Sequence, residues 1–270
     1  MNSLPGSLRR SLALACLFAI AAPAAAAEYT FAVEPDYPPE RAREIYQPLM
    51  NYLQKATGQT FKLVTAKNYH FYWRDIHATA KADFAFDEAH FADYRIKHDK
   101  YEPLVHTAEP TSYALVTSNA DLAKKGAAGL VGHSIISMPS PSLGYVLLLE
   151  FYPNPVSQPD IRSSVASWRD ALEPVFSGDV DAAMIPSALK DQYPNLIAVK
   201  TTRPFTGPCV TASDQVPADA RQKVKDALLK LDPNGETAKV LLDLGMTKFV
   251  PASAKDYDGA ERMLQNSLGY

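Results

Sequence analysis

Three serines lie close together in residues 137–145, which read Ser-Met-Pro-Ser-Pro-Ser-Leu-Gly-Tyr. This segment ends a β-rich run at residues 134–137 and opens a predicted helix over residues 143–152. Hydroxyl groups and free backbone N–H groups at the positive end of a helix can bind an anion. Ser140 and Ser142 can instead cap the helix and bind no ligand. The candidate anion-binding residues are Ser140, Ser142 and Gly144.

A second group of polar residues follows a short buried run at residues 83–86. Asp87, Glu88 and His90 come directly after this run, and ligands of open α/β sheets bind at the carboxyl ends of strands. Asp87 and His90 are therefore candidates to face a ligand, and an acidic group there favours a cationic or donor-rich one. The alternative is that Asp87 or Glu88 only stabilises the N-terminus of the next helix.

Aromatic and small polar residues at loop ends complete the candidate set. Tyr37 and Tyr69 lie just beyond predicted strands, where their rings can pack on a ligand and their hydroxyls can donate. Ordinary core packing is the alternative for both. Asn154 and Ser187 are weaker candidates: two prolines flank Asn154 and favour a turn role, and topology alone suggests Ser187.

The histidines raise a metal-binding hypothesis, because imidazole is a common ligand of transition metals. All six lie in the first half of the chain, and no two have the i, i+4 spacing of a helical metal site. They are His70, His77, His90, His98, His106 and His133. We expect scattered histidines, no metal site and no cofactor.

Motifs of catalysis are absent from the sequence. It contains no G-x-S-x-G, H-E-x-x-H or phosphate-loop pattern, and Cys209 is predicted to be a buried residue of a strand. We therefore expect no enzyme. A triad scattered along the sequence stays open as an alternative, because such groups meet only in three dimensions.

Short β-rich runs alternate with helical stretches in two successive blocks. Two such blocks predict two α/β lobes, each a mostly parallel sheet flanked by helices. The predicted strands are residues 29–33, 61–65, 83–86, 113–117, 134–137, 181–185 and 196–199. The predicted helices are 48–57, 69–80, 88–98, 143–152 and 165–176, followed by one opening at 216–219 and one over 235–244.

The N-terminal 27 residues have the pattern of a secretory signal peptide. Arg9 and Arg10 precede an apolar run at residues 12–22, and small residues ending in Ala-Ala-Ala form the cleavage site. We expect a periplasmic mature chain that begins near Glu28. The alternative is a lipoprotein anchored through Cys16.

Composition narrows the classes of partner. The chain has 27 basic and 30 acidic residues, and loss of Arg9 and Arg10 with the signal leaves 25 against 30, a net charge of −5. This balance argues against nucleic acid or an anionic membrane surface as partner. Without Cys16 only Cys209 remains, so no internal disulfide is expected.

Several segments, taken in order, resemble one family of transport proteins. They are residues 46–53, 81–86, 113–117, 177–183, 216–217 with 227–229, and 249 with 256–257. Their order is similar to that of the phosphate, phosphite and phosphonate (PhnD-like) solute-binding proteins of ABC transporters, which have the type II periplasmic-binding fold.

The resemblance implies two lobes that close on a ligand in the cleft between them. Lobe I would combine residues 28–112 and 204–270, and lobe II would be residues 113–203. The family's anion position would fall on the residues before Gly144, where its hydroxyl-rich Ser-Thr-Ser pattern is replaced by Pro141, Ser142 and Leu143. This departure puts a phosphorus oxyanion ligand in doubt.

These observations predict a monomeric periplasmic subunit that captures a small polar solute and presents it to the membrane permease of an ABC transporter. A phosphorus oxyanion is one candidate ligand. Two alternatives on the same fold are a ligand sensor that signals to a membrane receptor or kinase, and a metal-binding protein or hydrolase.

Overall fold

The computed structural model describes residues 27–78, 81–265 and 267. Almost all of the predicted signal peptide, including Cys16, lies outside the described residues. So does the predicted end of the helix over residues 69–80.

Strands and helices alternate along most of the described chain. The strands are β1 (Glu28–Val33), β2 (Thr60–Thr65), β3 (Phe84–Asp87), β4 (Glu102–Thr107), β5 (Tyr113–Thr117), β6 (Ser134–Ile136), β7 (Asp160–Arg162), β8 (Ala182–Pro186), β9 (Ile197–Thr201), β10 (Cys209–Ala212) and β11 (Phe249–Pro251). The α-helices are α1 (Pro39–Thr57), α2 (Tyr69–Ile76), α3 (Ala89–His98), α4 (Ala120–Lys124), α5 (Leu143–Phe151), α6 (Leu172–Ser177), α7 (Ser187–Lys190), α8 (Ala218–Leu229) and α9 (Ala238–Asp243).

The strands form two sheets, which confirms the predicted α/β class. The first has the order β11-β4-β10-β3-β1-β2, and the second has the order β7-β6-β8-β5-β9. Both sheets are mixed, whereas the sequence predicted mostly parallel ones. The returning strands β10 and β5 each pair antiparallel with both of their neighbours. This non-local pairing leaves no trace in local periodicity.

Two segments connect the sheets. The first, residues 108–112, leads from β4 to β5, and the second, residues 202–208, leads from β9 back to β10. They pair where Thr111 N donates to Phe205 O at 3.0 Å and Phe205 N donates to Thr111 O at 2.8 Å. The chain therefore crosses between the two sheets twice at one place, through these two adjacent connecting segments.

Helix α1 is longer than the sequence predicted. It begins at Pro39, not at Pro48, and Pro48 lies inside it. Proline suits the first turn because its missing N–H has no helical partner there, and Pro39 occupies that position. The interior proline is tolerated because the helix buries a continuous apolar face that includes Ile45, Leu49 and Leu53. Gly58 ends the helix in the left-handed conformation, as predicted (φ 72°).

The helix predicted over residues 165–176 forms only in its last part, α6. Turns replace it before Leu172. In these turns Asp170 N donates to Ser167 Oγ at 3.2 Å, a local bond that competes with helix formation. Strands β4, β7 and β11 were not predicted from the sequence.

Two hydrophobic clusters hold the molecule together. One packs α1 and α8 against the first sheet and includes Phe31, Phe84 and Val224. The other contains the interior of the second sheet and also Tyr69 and Phe91, from α2 and α3. Helices α2 and α3 connect strands of the first sheet along the chain. The second cluster therefore extends from one half of the molecule into the other.

No helix within residues 27–78 and 81–265 is both long enough and apolar enough to cross a membrane.

Leu53→Ala tests the packing of α1. Leu53 is fully buried, so we expect the substitution to lower the free energy of unfolding by about 2–5 kcal/mol through lost burial and a residual cavity. Urea denaturation measures this. Leu242→Ala is the matched control, because Leu242 is 78% exposed and its truncation should change stability by less than about 0.5 kcal/mol. Equal stability of the two variants would contradict the packing described for α1.

Candidate functional site

A cavity of about 360 Å³ lies beside the segments that connect the sheets. Its wall takes residues from the first sheet and its helices, from the connecting segments and from the second half of the molecule. They include Asp36, Tyr37, Tyr46, Phe86 and Glu88; Glu109, Thr111, Ser112 and Tyr113; and Ser167, Trp168, Arg169, Ala188 and Gln192. We call this the interlobe cavity, and its volume is in the range of small-molecule sites.

Asp36 joins the two sides of the interlobe cavity. Its Oδ1 accepts a hydrogen bond from Tyr69 Oη at 2.6 Å and another from Trp168 Nε1 at 2.6 Å. Tyr69 belongs to α2 beside the first sheet, while Trp168 comes from the turns before α6. Burial raises the pKa of Asp36, and the two hydrogen bonds oppose that rise because they stabilise the carboxylate.

Three further carboxyl groups lie at the same edge of the first sheet. β1 and β3 are parallel neighbours with Val33 opposite Phe86, so Glu34, which follows β1, meets Asp87 and Glu88, at the end of β3, at one edge of the sheet. Glu34 is 3% exposed and its Oε1 accepts a hydrogen bond from Glu88 N. Its Oε2 has no partner among the described residues.

The surroundings of Glu34 and Glu88 favour their protonated forms. Burial, followed by repulsion from Asp36, Asp87 and Glu88, raises the pKa of Glu34 well above its usual range. Burial and the nearby Asp36 raise the pKa of Glu88 to about 8, against hydrogen bonds from Thr111 and Tyr113 that lower it. Glu88, which lines the cavity, therefore binds a proton near neutral pH.

Asp87 has a cationic partner. Its Oδ2 accepts a hydrogen bond from Arg95 Nε at 2.7 Å, its Oδ1 accepts one from Tyr72, and both Asp87 and Arg95 are buried. The Arg95 guanidinium also lies over the ring of Tyr101 at 5.2 Å. Asp87 was a candidate to face a ligand, and the structure places it in an ion pair with Arg95, outside the lining of the interlobe cavity.

His90 lies at a contact between the two halves. Its Nε2 is 2.8 Å from the carbonyl oxygen of Pro141, and because a carbonyl only accepts, Nε2 carries the hydrogen. Burial lowers the pKa of His90 to about 4. The side chain is therefore neutral at pH 7 and adds no positive charge to the site.

In the serine-rich segment before α5, Ser142 has a structural role. Ser142 is the N-cap of α5, and its Oγ accepts a hydrogen bond from Tyr145 N at 3.3 Å. A Cβ added to Gly144 would lie 2.6 Å from Trp168 and 3.0 Å from Tyr113, so aromatic rings cover this helix end. Residues 137–145, Ser140 included, do not belong to the lining of the interlobe cavity.

The other candidates take different places. Tyr37 lines the interlobe cavity, while Tyr69 is buried behind it and holds Asp36. Asn154 caps a short turn by accepting from Val156 N at 3.1 Å, as its flanking prolines indicated. Ser187 begins α7 between two lining residues, and its hydroxyl accepts from Ser112 Oγ at 2.9 Å.

Sequence reasoning missed the residues that dominate the wall. Asp36 comes shortly after β1, and Asp87 ends β3, so the rule that selected residues at the carboxyl ends of strands could also have selected Asp36. Trp168 gave no signal, because it stood inside a predicted helix. The histidines are dispersed, and within the described part of the chain no group of three or more His, Cys, Asp or Glu side chains is arranged to hold a metal ion.

Comparison with known proteins decides the family. The model of the family described as "ABC transporter, phosphonate, periplasmic substrate-binding protein" matches residues 31–257. The chain belongs to this family. It is thus a periplasmic solute-binding subunit of an ABC transporter, with a small-molecule ligand and a membrane permease as partners. No curated protein matches the chain.

Solved structures show the same fold at low sequence identity. PhnD1 from Prochlorococcus marinus in complex with methylphosphonate has a TM-score of 0.73 and 14% identity, covering 88% of this chain and 97% of its own. A binding component of an ABC phosphonate transporter from Pseudomonas aeruginosa has a TM-score of 0.72 and 18% identity over 86% and 83%. A protein from Xanthomonas citri bound to ATP has a TM-score of 0.70 and 13% identity over 88% and 96%. At these identities the comparison describes the fold of the binding protein and not its ligand.

Arg95→Met tests the buried ion pair. The substitution leaves the Asp87 carboxylate buried without a cation, and we expect the binding protein to lose about 3–5 kcal/mol of unfolding free energy. Adding Asp87→Asn removes that charge and keeps an acceptor for Tyr72, so the double variant should regain at least half of the loss. Urea denaturation of both variants decides this. If Arg95→Met is as stable as the parent protein, the ion pair with Arg95 is not required to keep Asp87 buried.

The pH dependence of stability tests the buried glutamates. A carboxyl group whose pKa is higher in the folded than in the unfolded state favours folding below its unfolded pKa, and this stability is lost as the pH rises through the folded value. We therefore expect the stability to fall between pH 4.5 and 8, by roughly 1 kcal/mol per pH unit for Glu88.

Glu88→Gln should flatten this slope, and thermal denaturation from pH 5 to 8 measures it. Glu236→Gln is the matched control, since Glu236 is exposed, and it should keep the parental slope. An unchanged slope in Glu88→Gln would show that Glu88 is ionised throughout this range.

Proposed function

We propose that the binding protein captures its solute in the interlobe cavity and that the two halves of the chain close around it. The observation that carries this proposal is the composition of the wall, which takes residues from both sheet units and from the connecting segments. A ligand held by both sides favours the closed arrangement, because its contacts exist only when the sides meet.

The connecting segments supply the hinge in this proposal. Residues 108–112 and 202–208 cross together between the sheets, and the Thr111–Phe205 pairing keeps them adjacent. Lobe I is then formed by residues 28–112 and 204–270, and lobe II by residues 113–203. The Asp36–Trp168 hydrogen bond and the His90–Pro141 contact lie between these lobes and stabilise the closed form.

Export and assembly complete the proposal. Residues 1–27 act as the signal peptide, and the mature chain works in the periplasm as a monomer that delivers the closed, liganded form to the permease. The chain binds without turning its ligand over, in keeping with a family of transport proteins.

A thermal-shift screen with a blocked cavity tests this function. The panel holds organic amines, amino acids, phosphonates and other oxyanions, and a true ligand raises the melting temperature by mass action. Ala188→Trp places an indole at an exposed position of the cavity wall and should weaken binding of every hit at least about tenfold. Ala120→Trp, at the exposed start of α4, is the matched control and should bind like the parent.

Two results would count against the proposed site. If no compound raises the melting temperature, the closed cavity is not a solute site. If a hit binds Ala188→Trp as tightly as the parent, the solute binds elsewhere on the fold.

A further inference from the structure

The wall of the interlobe cavity carries an excess of acidic groups. Among its described lining residues, Asp36, Glu88 and Glu109 are acidic and Arg169 is basic. Arg169 is exposed, and its guanidinium already donates to Gln192 Oε1 at 3.1 Å and to the hydroxyl of Tyr193. A ligand anion would therefore meet several carboxyl groups and no unengaged cation of this wall.

Some buried polar atoms of the wall have no hydrogen-bond partner among the described residues. They include the Oε2 atoms of Glu88 and Glu109. Tyr46 also lines the cavity and is only 7% exposed. In the ionised form a carboxyl group only accepts, so these atoms then suit a ligand that donates a hydrogen bond or carries positive charge.

Aromatic rings form much of the remaining wall. Tyr37, Tyr46, Phe86, Tyr113 and Trp168 all line the cavity, and the rings of Tyr113 and Trp168 meet edge to face with centroids 5.3 Å apart. A cation is attracted by the faces of such rings, and aromatic walls are used to recognise ammonium groups. Carboxylates and aromatic rings together suit an organic cation.

We infer that the interlobe cavity binds a small organic cation, a solute that carries an ammonium group, with Glu88 and Asp36 as the charge partners. This inference rests on the proposed function and names the ligand class of the same site. A metal ion is a poorer match, because no group of three potential ligands is arranged for one within the described residues. A simple oxyanion is also disfavoured, since Ser142 and Gly144 at the α5 end are engaged in capping and packing.

The pH dependence of binding distinguishes a cation from an anion. A quaternary ammonium such as choline keeps its charge at every pH, so changes in its affinity report groups of the protein. Burial raises the pKa of Glu88 to about 8, and a cation must displace that proton. We expect the affinity for choline to rise by more than about tenfold from pH 6 to 8.5, because the ionised fraction of Glu88 rises over this range, whereas an anion would bind more weakly as the pH rises.

The titrating carboxyl belongs to a crowded environment. The ionisable groups that act on Glu88, or on which it acts, are Glu34, Asp36, Tyr46, Asp87, Tyr113 and Tyr257. Arg95 is paired with Asp87, and Arg169 lies at the exposed part of the wall. Glu88→Gln therefore identifies the carboxyl responsible: the variant should bind choline at least about tenfold more weakly at pH 8.5 and with less pH dependence.

Isothermal titration calorimetry of the purified protein gives the decisive comparison. The probes are choline, ethanolamine, ethylphosphonate and dimethylbutanol, the uncharged analogue of choline in which carbon replaces nitrogen. We expect choline or ethanolamine to bind at least about tenfold more tightly than dimethylbutanol and ethylphosphonate not to bind. Glu236→Gln, the exposed control, should leave the affinity for the ammonium probe unchanged.

The remaining outcomes separate this inference from the function on which it rests. Binding of ethylphosphonate without binding of either ammonium probe overturns the organic-cation ligand and leaves the solute-binding site in place. Equal affinity for choline and dimethylbutanol, or ammonium binding that Glu88→Gln does not weaken, also overturns it. If none of the four probes binds, the organic-cation inference is wrong. The solute-binding function is then tested by the thermal-shift screen and by the Ala188→Trp variant.

Discussion

One carboxylate, that of Asp36, joins the two halves of the molecule. It accepts hydrogen bonds from Tyr69 on one side of the cleft and from Trp168 on the other. A charged acceptor makes stronger hydrogen bonds than a neutral one, and both donors also contribute large buried rings. Because Trp168 forms part of the cavity wall, the bond that joins the two halves also shapes the binding site.

The parallel pairing of β1 and β3 explains why the site is acidic. Two parallel strands end at the same edge of a sheet, so the acidic residues after each of them become neighbours. Repulsion among buried carboxylates is costly, and the structure relieves it in two ways. Arg95 neutralises Asp87, while the raised pKa values of Glu34 and Glu88 favour their protonated forms. A bound cation would reduce the same repulsion at Glu88. A proton on Glu88 and an ammonium ligand beside it would therefore stabilise the same cluster of carboxyl groups.

Much of the fold could be predicted from the sequence, because it is recorded locally. The β-rich runs marked most strands, and Gly58 and Gly178 ended their helices in the left-handed conformation, where glycine is favoured. The start of α1 was wrong because tertiary burial of its apolar face outweighed the proline signal at Pro48. The mixed sheets and the turn that carries Trp168 depend on contacts between residues far apart in the chain, and these have no local signature.

The fold of the family constrains how the ligand is held but leaves its charge open. An anion site at the N-terminus of α5 would need free N–H groups and space in front of them. In this chain Ser142 accepts from Tyr145 N, and the ring of Trp168 lies where a side chain on Gly144 would project. Trp168 is held there by Asp36, so the group that closes the cleft also covers the helix end. The side chains that line the cavity include several aromatic rings, buried carboxyl oxygens without a partner among the described residues, and a single arginine.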